Sequence, residues 1–327
     1  MPRALISLDL GENYYDPNDF VEATIHAENL GFSRVWFGDH FAPLFHSSNR
    51  ASFVWSMMGA ALARTRDIAM GPLVTTPLGA RYHPALVAQA CATLDNMFPG
   101  RLLVSVGSGE AVNEASFWND EWPEWKERME RLCEGVSLMR KLFEQKQPFS
   151  FKGKYFGSKF YYLYTRPRTK MPIYFSAVGR KAAYYAGMFG DHIVTLSPQN
   201  DVDRIRDVLL PQYQKGCAET GKKTGDLLVH LDYSFKTPDE LLRDSRSDLT
   251  PSVKGAIDAK TPLEVEKMGK RLTPSYVRSV VHSCRDWRQL IRVLESYVEV
   301  GASELILFSA PVKKEIQLVA KNVLSVF

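Results

Sequence analysis

The residues best placed for chemistry are an aspartate and a histidine that end an apolar run. GFSRVWFGDHF, from Gly31 to Phe41, reads as a turn into a buried strand that stops on Asp39-His40. Other apolar runs stop on comparable groups. IAMGPLVTT ends in Thr75-Thr76, and RLLVSVGSG runs on through Ser108 and Gly109 into Glu110, Asn113 and Glu114. PIYFSAVG ends in Ser176-Ala177-Val178-Gly179, and HIVTLSP carries Thr195 and Ser197. An imidazole beside a carboxylate suits proton transfer. Small residues at a strand end leave backbone N–H groups open to an anion, and in SAVGRKAAYYAG a helix start follows with Arg180 and Lys181.

Each group has a plainer reading. Lone histidines are more often packed or exposed than catalytic, and His26, His46, His83, His192, His230 and His282 are read that way. His40 differs through its place at a strand end beside Asp39. Glu110 also reads as a carboxylate at a helix N-terminus, favoured by the dipole. The Ser176–Gly179 stretch also reads as a tight turn that needs small residues for packing.

Elements must bring these groups together. Short apolar runs alternate with helical patterns over most of the chain, giving about eight strands mostly separated by helices. That alternation implies parallel strands with right-handed crossovers. At 327 residues it favours a single (β/α)8 TIM-barrel domain spanning 1–327 over an open sheet. A barrel of this kind gathers strand-end residues on one rim. Two insertions interrupt the rhythm. Near 148–165, aromatics nearly alternate around Gly153 and Gly157 and predict a hairpin. Near 236–275 a polar stretch without a strand pattern is expected to be helical. YVRSVVHSC reads either as a short strand or as a core segment leading into a helix.

Composition narrows the classes. Hydrophobic residues make up 45% and charged residues 24%, an ordinary globular balance. A formal charge of +4 without a run of like charge gives no grip on nucleic acid or an anionic membrane. The four cysteines are scattered without metal-ligand spacing and read as reduced thiols of a cytoplasmic protein. No metal site is expected. The N-terminus goes straight into a strand without the order of a signal peptide, and no apolar run approaches the ~18 residues of a membrane span. GSGEAV is not a dinucleotide fingerprint, because the third glycine position falls on Val112.

GFSRVWFGDHF, ARYHPALVAQACATLDNMFPGRLLVSVGSGEAVNE, WPEWKER, FKGKYF and PIYFSAVGRKAAYYAG occur in that order over most of the chain. Together they resemble the luciferase-like flavin and deazaflavin superfamily of barrel enzymes. The match is closer to its coenzyme F420-dependent dehydrogenases, the subgroup with glucose-6-phosphate and secondary alcohol dehydrogenases. The resemblance implies coenzyme F420 in the barrel mouth, with Asp39 against the deazaflavin. It implies a bulge at Leu73-Val74 with a non-prolyl cis peptide behind the ring. Thr76, Ser108, Gly109 and Asn113 would line the cofactor, Ser176, Ala177, Val178 and Gly179 would hold its phosphate, and Arg180 and Lys181 would meet its glutamyl tail. His40 matches the base that takes the hydroxyl proton, and Glu110 the donor that protonates N1 of the reduced ring once burial raises its pKa.

The substrate side departs from that family. A tryptophan is frequent four residues after the histidine, whereas this chain has Leu44. Lys254 and Arg278 fall near two of the basic positions that hold a substrate phosphate, and the third falls on Pro198. With Thr195 these form the expected substrate side. An incomplete phosphate cage argues against glucose 6-phosphate and leaves another sugar phosphate, a sugar or a simpler alcohol. A homodimer is expected, with no nucleic-acid or membrane partner. The alternatives are an FMN-dependent monooxygenase of the same fold and a catalytically inactive F420-binding barrel.

Overall fold

The computed structural model describes residues 4–11, 15–44, 46–119, 121–196, 201–244, 255–309 and 312–327. Its centre is eight strands: β1 Leu5–Leu10, β2 Arg34–Phe37, β3 Ala69–Pro72, β4 Val104–Val106, β5 Ile173–Ser176, β6 His192–Thr195, β7 Leu227–Leu231 and β8 Ala302–Ser309. They lie in the order β3-β2-β1-β8-β7-β6-β5-β4, every neighbour parallel. The two ends of this sheet meet. Met70 bridges Leu102 and Thr75 bridges Val106, and hydrogen bonds such as Leu103 N–H to Met70 O at 2.9 Å join them. The expected (β/α)8 barrel is the observed fold.

Alternation along the strands builds two cores. Outward residues such as Leu8, Leu10, Val35, Phe37, Val106, Phe175 and Leu307 pack with the helices. Inward residues Trp36, Leu73, Leu103, Tyr174, Val194, Leu228 and Ile306 fill the barrel. Buried Glu304 is satisfied among them. It accepts from Ser7 Oγ at 2.7 Å, Trp36 Nε1 at 2.8 Å and Arg34 Nη1 at 2.6 Å. Three donors thus satisfy this buried carboxyl of the barrel floor.

The helices that set the rim start and stop on local signals. They are α1 Pro17–Asn29, α2 Val54–Arg64, α3 Pro84–Met97, α4 Ala111–Glu114, α5 Trp125–Glu144 and α6 Arg180–Phe189. α1 has Asp16 as N-cap, with a capping box to Asp19 and proline in its first turn. α3 also begins with proline, and His83 caps it by accepting from Ala85 N–H at 3.1 Å. His83 is thus structural. α3 ends at Met97, and in the turn that follows Gly100 has φ +76 and so takes the left-handed conformation that glycine permits.

The insertions are ordered elements. Phe149–Lys152 and Gly157–Tyr161 pair antiparallel. Within 236–275 lie the helices Pro238–Asp244 and Pro262–Gly269 and the start of Pro274–Val280. YVRSVVHSC is the end of that last helix followed by a two-residue strand, His282–Ser283. The apolar run DLLVHLDYSF is divided. Leu227–Leu231 stays in the barrel, whereas Tyr233–Ser234 leaves to pair with His282–Ser283. Both sides of the insertion are thereby joined above the rim. All four cysteines are free and buried, and no helix among the described residues is long and apolar enough to cross a membrane.

Candidate active site

Strand β2 delivers the first two groups. Its last ladder bond is Leu73 N–H to Phe37 O at 2.6 Å. Beyond it Gly38-Asp39-His40 leaves the sheet at the rim. Asp39 turns into the protein and is 3% exposed. Arg81 Nη2 donates to Asp39 Oδ1 at 2.6 Å, Arg81 Nη1 to the Asp39 carbonyl at 2.8 Å, and Tyr82 Oη to Asp39 Oδ1 at 3.0 Å. His40 stays nearer the surface, its side chain 18% exposed.

A second carboxylate shares Arg81. Glu114 Oε1 accepts from Arg81 Nη1 at 3.2 Å and from Thr76 Oγ1 at 2.5 Å. Arg81 and Glu114 are 5% and 1% exposed. Burial pushes the Glu114 carboxyl up to about 7, against the charge of Arg81 and the hydrogen bonds of Thr76 and Arg81, with Asp39 adding to the rise. Burial also raises the Tyr82 hydroxyl, and Asp39 adds to that. One guanidinium between two carboxylates thus ties the ends of β2 and β3 to α4.

Sequence reasoning singled out Asp39 and Thr76 and gave no role to Arg81, Tyr82 or Glu114. The available signal was ARYHP, just before α3: an arginine on a rim that already holds a buried aspartate has few other places to put its charge.

Above this network, the Leu73–Val74 peptide is cis, as the resemblance implies. Gly107 lies against it. A Cβ at Gly107 would stand 2.4 Å from Val74 Cγ2 and 3.5 Å from Ser176 Cβ, so only glycine lets β4 approach the bulge. Gly109 has φ +73, and a Cβ there would meet Thr76, Glu114 and Trp122 at 3.1–3.3 Å. Glycine at 109 therefore lets this turn pack closely on Thr76, Glu114 and Trp122.

His40 and Glu110 come together. His40 Nε2 lies 4.0 Å from Glu110 Oε2. That is too long for a direct hydrogen bond, yet one oxygen at about 2.8 Å from each would bridge them. Asn113 holds this arrangement. Its Oδ1 accepts from Phe41 N–H at 3.0 Å and Ala42 N–H at 3.2 Å, and its Nδ2 donates to Glu110 Oε2 at 3.3 Å. Asn113 thus spends its amide on positioning the loop that carries His40. Glu110 remains 41% exposed at the side chain, whereas Asp39 and Glu114 are the buried carboxyls of this rim.

The remaining predicted residues spread around the mouth. Ser176, Val178 and Gly179 are partly buried and Ala177 is buried at the start of α6. A Cβ on Gly179 would meet nothing within 4 Å, so the turn is open beside the first N–H groups of a ten-residue helix. Arg180 and Lys181 are exposed there. Arg204, which sequence reasoning passed over, donates to the Val178 carbonyl.

Thr195 is buried at the end of β6. Leu44 packs with Ala42 and Met268 on Val112, Ala256, Ala259 and Val265, so it anchors the insertion. Arg278 is exposed on the helix Pro274–Val280, whose Val277 and Val280 pack on Leu241, Leu242 and Leu272. Lys254 and Pro198 lie outside the described residues. No group of His, Cys, Asp or Glu suited to a metal occurs among the described residues.

Comparison with known proteins finds relatives over nearly the whole chain. A family model described as luciferase-like monooxygenase matches residues 5–245. An F420-dependent glucose-6-phosphate dehydrogenase of Kribbella flavida is 34% identical over 299 residues, 89% of this chain and 88% of its own length. The protein of the same description from Mycobacterium avium is 35% identical over 305 residues, 91% of this chain and 89% of its own. Among solved structures, an F420-dependent secondary alcohol dehydrogenase in complex with an F420-acetone adduct superposes with a TM-score of 0.91 at 32% identity, covering all of both chains.

Proposed function

From the premise that this chain belongs to the luciferase-like monooxygenase family, we propose that it is a coenzyme F420-dependent oxidoreductase acting on an alcohol or sugar-type substrate. The observation that carries the reading is the His40–Glu110 pair, 4.0 Å apart on the barrel rim, in a chain that matches F420-dependent dehydrogenases at about one-third identity over nearly all its length.

The residues present fit that cofactor. Asp39 Oδ2, Glu114 Oε2 and Thr75 Oγ1 are buried at the mouth with no hydrogen-bond partner among the described residues. Such polar atoms ordinarily find a partner. The open α6 turn suits a phosphate. Asp39, Leu73, Val74, Thr76, Ser108 and Gly109 would hold the deazaflavin, with Asn113 supporting them. Ser176, Ala177, Val178 and Gly179 would hold the phosphate, and Arg180 and Lys181 the acidic tail. When bound, F420 supplies a two-electron hydride acceptor or donor at C5 of its deazaflavin.

The protein contributes placement and protons. A substrate hydroxyl bridging His40 Nε2 and Glu110 Oε2 loses its proton to His40, whose imidazole works in the right pH range. Glu110 is the second polar group beside the substrate, held through Oε2 by Asn113. Arg81 keeps Asp39 and Glu114 in fixed positions. Leu44 and the insertion it anchors close the rim on the substrate side. The buried free thiols support a reducing compartment, so we place the protein in the cytoplasm, and the homodimer is proposed from the family resemblance alone.

Equilibrium binding decides between this reading and the FMN monooxygenase. The purified protein is expected to bind F420 with micromolar or better affinity and FMN far more weakly. Tight FMN binding with none for F420 would sink the proposal. F420 binding without reduction by any member of a broad alcohol and sugar panel would leave an inactive F420-binding barrel.

A further inference from the structure

The loop that carries His40 and the segment that carries Glu110 run side by side beyond the reacting pair. Their first tie is His40 with Glu110, at 4.0 Å. The second is Asn113, whose Oδ1 accepts from the N–H groups of Phe41 and Ala42. The third is aromatic. The rings of Phe41 and Phe117 meet edge to face, with centroids 4.8 Å apart and planes at 75°. Ala42 and Leu44 then pack on Val112. The two segments that hold the polar pair thus hold a ring pair as well, one residue on from His40.

This ring pair is more than a clasp between loops. A clasp buries its rings, whereas Phe41 and Phe117 stay 55% and 39% exposed after they have met. Neither belongs to the buried core. The next residue shows the contrast. Trp118 is half-buried, packs on the core and takes the Arg131 guanidinium over its ring at 4.6 Å. Phe117 spends one contact on Phe41 and leaves the rest of its ring to solvent. No residue from Phe41 to Leu44 or from Ala115 to Trp118 carries a charge. A contiguous apolar patch of this kind gains free energy only when another apolar group covers it. The group nearest to hand is the remainder of a molecule held between His40 and Glu110.

We propose that Phe41 and Phe117 hold the non-reacting part of the substrate, and that this part is an extended apolar group: the substrate is a secondary alcohol with an alkyl chain or aromatic ring next to its carbinol. A hydroxyl bridging His40 and Glu110 leaves a substituent of the carbinol carbon to lie on the two rings. A sugar hydroxyl laid on the same rings gives up water and finds no hydrogen-bond partner in them, so a polyol gains less than an alkyl chain. The inference rests on the F420-dependent reading above and adds the substrate class to it.

The test is the series of secondary alcohols from 2-propanol to 2-octanol on F420-saturated protein, with turnover read by F420 absorbance. Tertiary alcohols of the same chain lengths have no carbinol hydrogen to transfer, so calorimetry reads their binding without reaction. Each added methylene should lower both KM and the dissociation constant about threefold until the rings are covered. Phe117→Ala should cut that gain to less than half, and the conservative Phe117→Leu should keep most of it. Circular dichroism and F420 affinity serve as folding controls. Affinity independent of chain length, or preference for glucose or glucose 6-phosphate over every alkanol, overturns the inference while intact F420 binding keeps the parent reading. A chain-length gain that Phe41→Ala and Phe117→Ala both leave intact overturns it too, and altered sedimentation of those variants would then assign the rings to a contact between copies. Failure of the unmutated protein to bind F420 overturns the parent reading, and this inference with it.

Discussion

Replacing Glu114 by glutamine should change how stability depends on pH. The Glu114 carboxyl is 1% exposed, and burial lifts it from an ordinary 4.5 to about 7. At roughly 1.4 kcal/mol per pH unit, that difference amounts to about 3 kcal/mol. The folded state holds the proton more tightly than the unfolded chain. The stabilising contribution is therefore fully present below the unfolded value of 4.5 and is lost as pH rises through about 7. Glutamine keeps an acceptor for Thr76 and Arg81 and removes the titration.

The assay is urea unfolding followed by tryptophan fluorescence, with both proteins measured side by side from about pH 4 to about pH 8. Contributions from all other groups cancel in the difference. Between those limits the unmutated protein should lose about 3 kcal/mol relative to Glu114→Gln, half of it lost by about pH 6. A constant difference across the range would refute the reasoning, because it would mean that Arg81 and Thr76 fully offset burial.

Three further predictions concern the reaction. His40→Ala should cut turnover by about 10²–10⁴-fold with F420 affinity nearly unchanged; stopped-flow absorbance and titration separate the two effects. Glu110→Gln should slow F420 reduction more than it weakens F420 binding, and equal losses would make Glu110 a positioning group. Gly107→Ala places a methyl 2.4 Å from Val74 Cγ2, so it should displace the bulge and weaken F420 binding by about tenfold or more, at some cost in stability from overpacking.

Much of this architecture was legible in the sequence because it is local. The period-2 and period-3.6 patterns mark strands and helices, and their alternation leaves few folds at this length. Asp39 and His40 were legible because a strand end is an odd place for that pair, and the Leu73–Val74 bulge through resemblance. Arg81 and Glu114 were harder: a buried ion pair is decided by which distant loops meet, and their partners lie 33–42 residues away. Leu44 was legible only as a departure; its packing on the insertion depends on a segment that sequence showed as polar and helical without showing where it lands.

The central claim is direct hydride exchange between a substrate carbinol and F420. Its most direct test is a substrate deuterated at the carbinol carbon, incubated with F420 in ordinary water and analysed by mass spectrometry of the reduced cofactor. The account predicts reduced F420 heavier by one deuterium than the product from unlabelled substrate. Reduced F420 that carries only solvent hydrogen would contradict it.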